Sequence, residues 1–189
     1  MNAPERFPSV RQRLRLATEE VHQALHRAAP FAAIADGRAT RDSYANTLLL
    51  LLHRFHAGQS AFCLRAASLL GLPQLGAAHA ARITALKADM AWLGAGIESD
   101  TVPDRLMSDD ACIGALYTVQ GSTLGGKVIY RQLDSLLTDD AGRCFFKGTP
   151  DDGRQWQALC AALETCGGDA AGMEQGALQA FRDFRDLLG

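Results

Sequence analysis

The sequence predicts an all-α fold, a single-domain helical bundle of about six helices. Three observations carry that expectation. Apolar residues recur three and four positions apart through every long segment. No segment sustains the alternation of apolar and polar residues that a half-buried strand needs. Clusters of Gly and Pro punctuate the chain at intervals suited to helices. With 189 residues, 48% of them apolar, the chain can bury one real core, so residues 1–189 are read as one domain. Residues 1–8 are expected to form a flexible arm, because Pro4 and Pro8 oppose a helix.

Each element has its own signal. Ser9 followed by Gln12 is a capping-box signature, and Val10, Leu14, Ala17, Val21, Ala24, Leu25 and Ala28 form the apolar stripe of a first helix. Pro30 and Asp36-Gly37 close it. Thr40 caps a second helix, whose Tyr44, Leu48, Leu51, Leu52, Phe55 and Phe62 make a broad buried face. A bend is expected near Gly58 and a stop at Gly71-Leu72-Pro73. A third helix turns Ile83, Leu86, Met90 and Leu93 inward, and Gly94, Gly96 and Pro103 mark a loop after it. Ser108 or Asp109 caps a fourth helix that fades near Thr138. Asp139 to Gly153 reads as a loop holding Phe145-Phe146. Two last helices follow, Arg154 to Cys166 and roughly Ala170 to Leu188, the latter with Met173, Ala177, Phe181, Phe184 and Leu188 on one face.

The fourth helix is unusual because it holds Gly121, Gly125 and Gly126. Each glycine inside a helix costs ~1 kcal/mol relative to alanine. Gly121 and Gly125 lie one turn apart on one face. Bare backbone there suits either a flat, bulky ligand or close packing against another helix. Taken alone, the spacing fits packing better.

Composition excludes several classes. A net charge of −2 gives no nucleic-acid surface. The five cysteines form no CxxC pair, so neither a zinc site nor a disulfide framework is expected. No apolar signal segment opens the chain, and the Leu48–Leu52 run is far too short to span a bilayer. The expected setting is cytoplasmic, with no nucleic-acid or membrane partner. Glu19-x-x-His22 is half of a di-iron carboxylate pattern, but no second Glu-x-x-His occurs. The glycine cluster has neither a nucleophile elbow nor the Gly-Lys-Ser/Thr ending of a phosphate loop. His22, beside the apolar stripe, suits a metal ligand as well as a half-buried histidine bonded to a carbonyl, and His26 lies one turn on.

Leu14-Arg15-Leu16-Ala17-Thr18-Glu19-Glu20-Val21-His22 resembles the proximal helix of haem oxygenases. The run from Leu116 through Gln120-Gly121-Ser122-Thr123-Leu124-Gly125-Gly126-Lys127 to Ile129 resembles the distal helix of bacterial members, especially those associated with bacterial phytochromes. Phe145-Phe146 and the Phe181-x-x-Phe184 ending are also similar to that family. The resemblance implies haem, as substrate and cofactor, sandwiched between the two helices. It makes His22 the iron ligand and Gly121 and Gly125 the distal glycines, with Ser122 where animal enzymes carry an aspartate. It places Arg15 at a haem propionate, and Tyr117 and Gly126 among the haem-binding residues. It further implies O2 and an external electron donor, a ferredoxin or reductase, with biliverdin, CO and iron as products and a bacterial phytochrome as a candidate bilin acceptor.

Two departures stand out. His26 occupies the place where many members carry a glutamate that bonds the ligand's second nitrogen. Gln157 and Ala161 stand where many carry a basic residue for a propionate. These departures favour one rival, a non-catalytic haem- or bilin-binding protein of the same fold. A metal-free helical interaction module is the second rival.

Overall fold

The computed structural model describes residues 8–96 and 106–189. Most of the expected arm, and Pro103 of the expected loop, lie outside these residues. Among the described residues all regular elements are helical: α1 Val10–His26, α2 Ala29–Ala35, α3 Arg41–Ser43, a π-helical stretch Tyr44–Leu49, α4 Leu50–Leu69, α5 Pro73–Trp92, α6 Asp109–Gln132, a 3₁₀ turn Leu133–Ser135, α7 Cys144–Lys147, α8 Asp152–Thr165 and α9 Ala170–Leu188.

The caps are largely those the sequence signals. Ser9 accepts from the Gln12 N–H while the Gln12 side chain accepts from the Ser9 N–H, closing the capping box of α1. Ser108 caps α6 through the Ala111 N–H, and Asp169 caps α9. Three details differ from expectation. The Pro30 region opens the short helix α2, because Pro is tolerated in a first turn. The irregularity of the second long helix is the π stretch before Leu50, and Gly58 lies inside unbroken α4. The Phe145-Phe146 segment is a short helix, α7, inside the expected loop.

Helix α6 runs through the middle of the bundle, with α4 and α9 against it and α7 and α8 beside it. Its approach to α9 depends on two glycines that the sequence reading did not single out. A Cβ on Gly114 would lie 1.9 Å from the Met173 carbonyl oxygen, and one on Gly176 would lie 2.0 Å from that of Ala111. The two backbones therefore pack without intervening side chains. Helix α5 packs on α4 and carries the buried Asp89, whose carboxylate accepts the Cys144 and Phe145 N–H groups at 2.9 and 2.8 Å. That clamp fixes α7 and so aims Phe145 and Phe146 into the bundle.

Helix α1 is held differently. Only Leu14 and Thr18 on it are buried. The Glu164 carboxylate of α8 accepts the Val10 and Arg11 N–H groups at 3.1 Å each, and Arg13 pairs with Glu174 of α9 at 2.6 Å. Val10 and Leu25 pack partly on the core, and the face that carries His22 meets open space.

Behind α4, His79 donates its Nε2–H to the His56 carbonyl at 3.0 Å, and both rings are buried. Burial pushes the His79 imidazole down to about 4. The unfolded chain then binds a proton that the folded chain refuses, so this histidine's stabilisation is complete above pH ~6.5 and drains away as pH falls toward 4. A loss on the order of 3 kcal/mol is expected across that window, read as a falling denaturant midpoint. A His79→Gln variant should show a flatter profile between pH 7 and 4, and an unchanged profile would dismiss His79 as its source.

Candidate functional site

The open space under α1 is a cavity of about 690 Å³. That size lies within the roughly 300–1,000 Å³ usual for cofactor sites. Its floor is α1, its roof is α6, and its inner wall comes from α4, α5, α7 and α9. Phe55, Phe145, Phe146, Phe181 and Phe184 make the inner wall strongly apolar. No single helix could build such a space; it exists because α1 stands off the bundle on the Glu164 and Arg13 contacts at one end.

The cavity brings together Arg15, His22, Tyr117, Gly121, Ser122 and Gly125. His22 faces it from α1, with the His26 ring edge-on at 4.6 Å between centroids and the Phe181 ring at 6.1 Å. Desolvation and the neighbouring His26 hold the His22 imidazole below its ordinary range, with Glu19 opposing them. It is therefore neutral at physiological pH and has a lone pair to offer. His26 lines the cavity as well. Among the described residues no group of three or more His, Cys, Asp or Glu side chains stands together as a metal cage. Arg15 is exposed at the edge of the cavity.

On the roof, nothing lies within 4 Å of where a Gly125 side chain would begin. A Cβ on Gly121 would meet only the Trp156 ring, at 3.6 Å. Tyr117 stacks obliquely on that same Trp156, with centroids 5.3 Å apart. Ser122 donates its hydroxyl to the Val119 carbonyl of its own helix at 2.7 Å. Gly126 lies off the lining. Its missing side chain makes room for the Phe146 carbonyl, 3.3 Å from where a Cβ would sit, so its place in the structure is one of packing.

The glycines of α6 thus divide by helical phase. Gly114 and Gly126 face other backbone, whereas Gly121 and Gly125 face the cavity. The lining also includes His56 and Arg82, which the sequence reading passed over. Neither sits in a local motif. They reach the cavity only because α4 and α5 pack side by side behind α7.

The residues fit a flat aromatic macrocycle with an axially ligated metal. A neutral imidazole stands on one side, bare backbone with free space on the other, and phenyl rings line the wall between them. No family model matches the chain. A curated protein of Xanthomonas campestris pv. campestris (strain 8004) named heme oxygenase is 31% identical over 134 residues, 70% of this chain and 78% of its own length. The fold is similar to that of the NO- and CO-bound heme oxygenase of Neisseria meningitidis, with a TM-score of 0.74 at 22% identity, over 96% of this chain and 91% of that one. It is also similar to the heme oxygenase of Leptospira interrogans, with a TM-score of 0.72 at 16% identity, over 96% of this chain and 98% of that one. At such identities the two structures speak for the fold.

Proposed function

Because the chain belongs to the haem oxygenase family, we propose that it cleaves haem to biliverdin, CO and iron, using O2 and electrons from a separate ferredoxin or reductase. The observation that carries this reading is one apolar cavity lined by both His22 and Gly125, with empty space where Gly125 lacks a side chain. When bound, haem supplies the iron that activates oxygen and is itself the molecule cleaved.

The chain's own part is positional. His22 would hold the iron through its imidazole, which partial desolvation at the cavity and the neighbouring His26 press toward the neutral form. Gly121 and Gly125 would let bound haem lie close to the main chain of α6, whose bare backbone would shape the space left beside it. Ser122 spends its proton on the Val119 carbonyl, so its hydroxyl oxygen is left as an acceptor at the cavity. Tyr117 and Trp156 close the cavity on the α8 side, and the phenyl wall excludes bulk water. Arg15 pairs with a propionate at the exposed edge, a charge-assisted contact. Bilin delivery to a bacterial phytochrome rests on the sequence resemblance of α6.

Hemin titration followed by ascorbate tests the proposal. A Soret band should appear on adding hemin and bleach under the reductant. A band that persists under ascorbate identifies a haem binder that does not turn over, and no band at all an interaction module.

Gly125→Ala should separate chemistry from folding. With open space at this position, the added methyl should leave the haem-free protein as stable as before, or more so by ~1 kcal/mol. It would intrude on the distal side, and ascorbate-driven turnover should drop. A lower melting point with intact turnover would contradict the assigned role. Arg15→Ala should weaken hemin binding by only ~0.5–1 kcal/mol, since a solvent-exposed pair contributes little. Its clearer readout is the ratio of biliverdin isomers, because a freed propionate lets the macrocycle turn in its slot.

A further inference from the structure

Two histidines stand side by side on the cavity face of α1. His22 and His26 lie four residues apart on one helix, a spacing that sets Cβ atoms about 5–6 Å apart on the same face. Their rings meet edge-on at 4.6 Å between centroids, with planes at 90°. Both residues are exposed, and both line the cavity. Among the described residues neither ring is tied into a hydrogen bond. The haem reading uses one of these rings as a ligand and leaves the nitrogens of the other unassigned.

The chemistry of the pair favours one class of ion. Imidazole nitrogens suit zinc, copper and nickel, whereas magnesium and calcium take oxygen donors. Zinc–nitrogen bonds of about 2.0–2.1 Å need the two nitrogens close together. Two exposed rings already in edge contact reach that by side-chain rotation alone. Glu19, one turn before His22, is the only acidic residue of the described lining, and its carboxylate accepts from the Gln23 amide at 2.8 Å. Its charge offsets the cations Arg15 and Arg27 of the same lining. No group of three His, Cys, Asp or Glu side chains closes a cage among the described residues, so water must fill the remaining positions. Such a site is open, and its ion exchanges with solvent.

We propose that His22 and His26 chelate one divalent transition ion of the zinc class in the haem-free protein, and that this ion excludes haem by occupying the His22 nitrogen. The chelate stands on the two rings alone; the exclusion of haem rests on the proposed function.

Calorimetric titration of the haem-free protein with zinc chloride, at neutral pH in a buffer that does not bind zinc, tests the chelate. One zinc per chain should bind saturably. His22→Ala and His26→Ala should each weaken it at least ~10-fold, because two donors on one rigid frame act together. Both side chains are exposed, so neither truncation threatens the fold, and melting of the haem-free variants checks this. The exposed Cys144 and Cys166 are the competing zinc ligands. Equal zinc binding by either histidine variant, loss of binding in Cys144→Ser or Cys166→Ser, or no saturable binding by wild type would overturn the proposal. Hemin titration with free zinc at tenfold its dissociation constant tests the exclusion. The midpoint of the Soret band should move to ~10-fold higher hemin in wild type, by mass action, and should stay in place in His26→Ala. An unmoved midpoint in zinc-bound wild type would overturn the exclusion. Wild type that binds zinc yet gives no Soret band in zinc-free buffer would refute the haem reading and leave the chelate standing.

Discussion

His22→Ala is expected to abolish the six-coordinate ferric spectrum of the hemin-loaded protein and to lower turnover by at least ~100-fold, about 2.7 kcal/mol in the barrier. The effect should fall on the chemistry and not on folding. His22 is an exposed residue on the cavity face of α1, whereas that helix is held by Leu14, Thr18, the Glu164 cap and the Arg13–Glu174 pair. Melting of the haem-free variant should therefore match wild type. Added imidazole should restore much of the axial band, because truncation leaves a hole where the ring stood. The informative control is His26→Ala. The two rings touch edge-on at 4.6 Å and both line the cavity. If His26→Ala alone removes the axial band, the ligand lies one turn further along α1. His26→Ala should otherwise leave the band in place. It should also raise the pH at which His22 protonates, since His26 helps to depress it. Hemin binding by His26→Ala would then fail at a higher pH on acidification than in wild type.

Gly176→Ala is expected to damage folding more than any other glycine replacement considered, apart from its counterpart Gly114→Ala. The new Cβ would lie 2.0 Å from the Ala111 carbonyl oxygen and 2.5 Å from the Ala111 Cα. Both are backbone atoms of a long helix and cannot rotate away. Helices α6 and α9 must separate along their length, opening the core around Leu116, Met173 and Ala177. Overpacking of this kind costs typically 1–3 kcal/mol and sometimes more, and the rigid partner puts this case at ~3 kcal/mol. For a chain of this size that is a fall in melting temperature of roughly 6–12 °C. Better helix propensity returns at most ~1 kcal/mol. Thermal melts of the haem-free Gly176→Ala and Gly125→Ala proteins, run side by side, make the comparison sharp. A melting point for Gly176→Ala within a degree or two of wild type would mean that the helices part at little cost.

The same contrast shows what was legible in the chain. The three glycines Gly121, Gly125 and Gly126 were visible as an anomaly, and the sequence left two explanations for them, a ligand and a helix contact. The structure sets the glycines on different faces. Gly126 has the Phe146 carbonyl against it, whereas Gly125 has nothing within 4 Å. The tightest packing glycines, Gly114 and Gly176, raised no alarm, because each meets its partner on a helix distant in the chain. The first helix tells a similar story. Its apolar stripe predicted burial, yet only Leu14 and Thr18 on it are buried, because part of the inward face looks onto a cavity and not onto a core. Periodicity reports which side of a helix avoids water; it does not report whether protein or ligand covers it.

Local physics is written locally, and so, whereas His22, Gly121 and Gly125 became candidates through the family resemblance, the sequence alone determined the helical class, the Ser9, Thr40 and Ser108 caps and the last two helices. Each of these rests on residues within a turn or two of one another. The tertiary structure decided what depends on distant elements meeting. It set α1 off the bundle to open the cavity, turned Gly126 to Phe146 and Gly125 to free space, brought α9 onto α6 at Gly114 and Gly176, and carried Arg82 and His56 to one wall. A hydrogen-bonded cap or an apolar stripe has a fixed spacing in the chain. Contact between α4, α5 and α7 has none, because it follows from how the whole bundle excludes water.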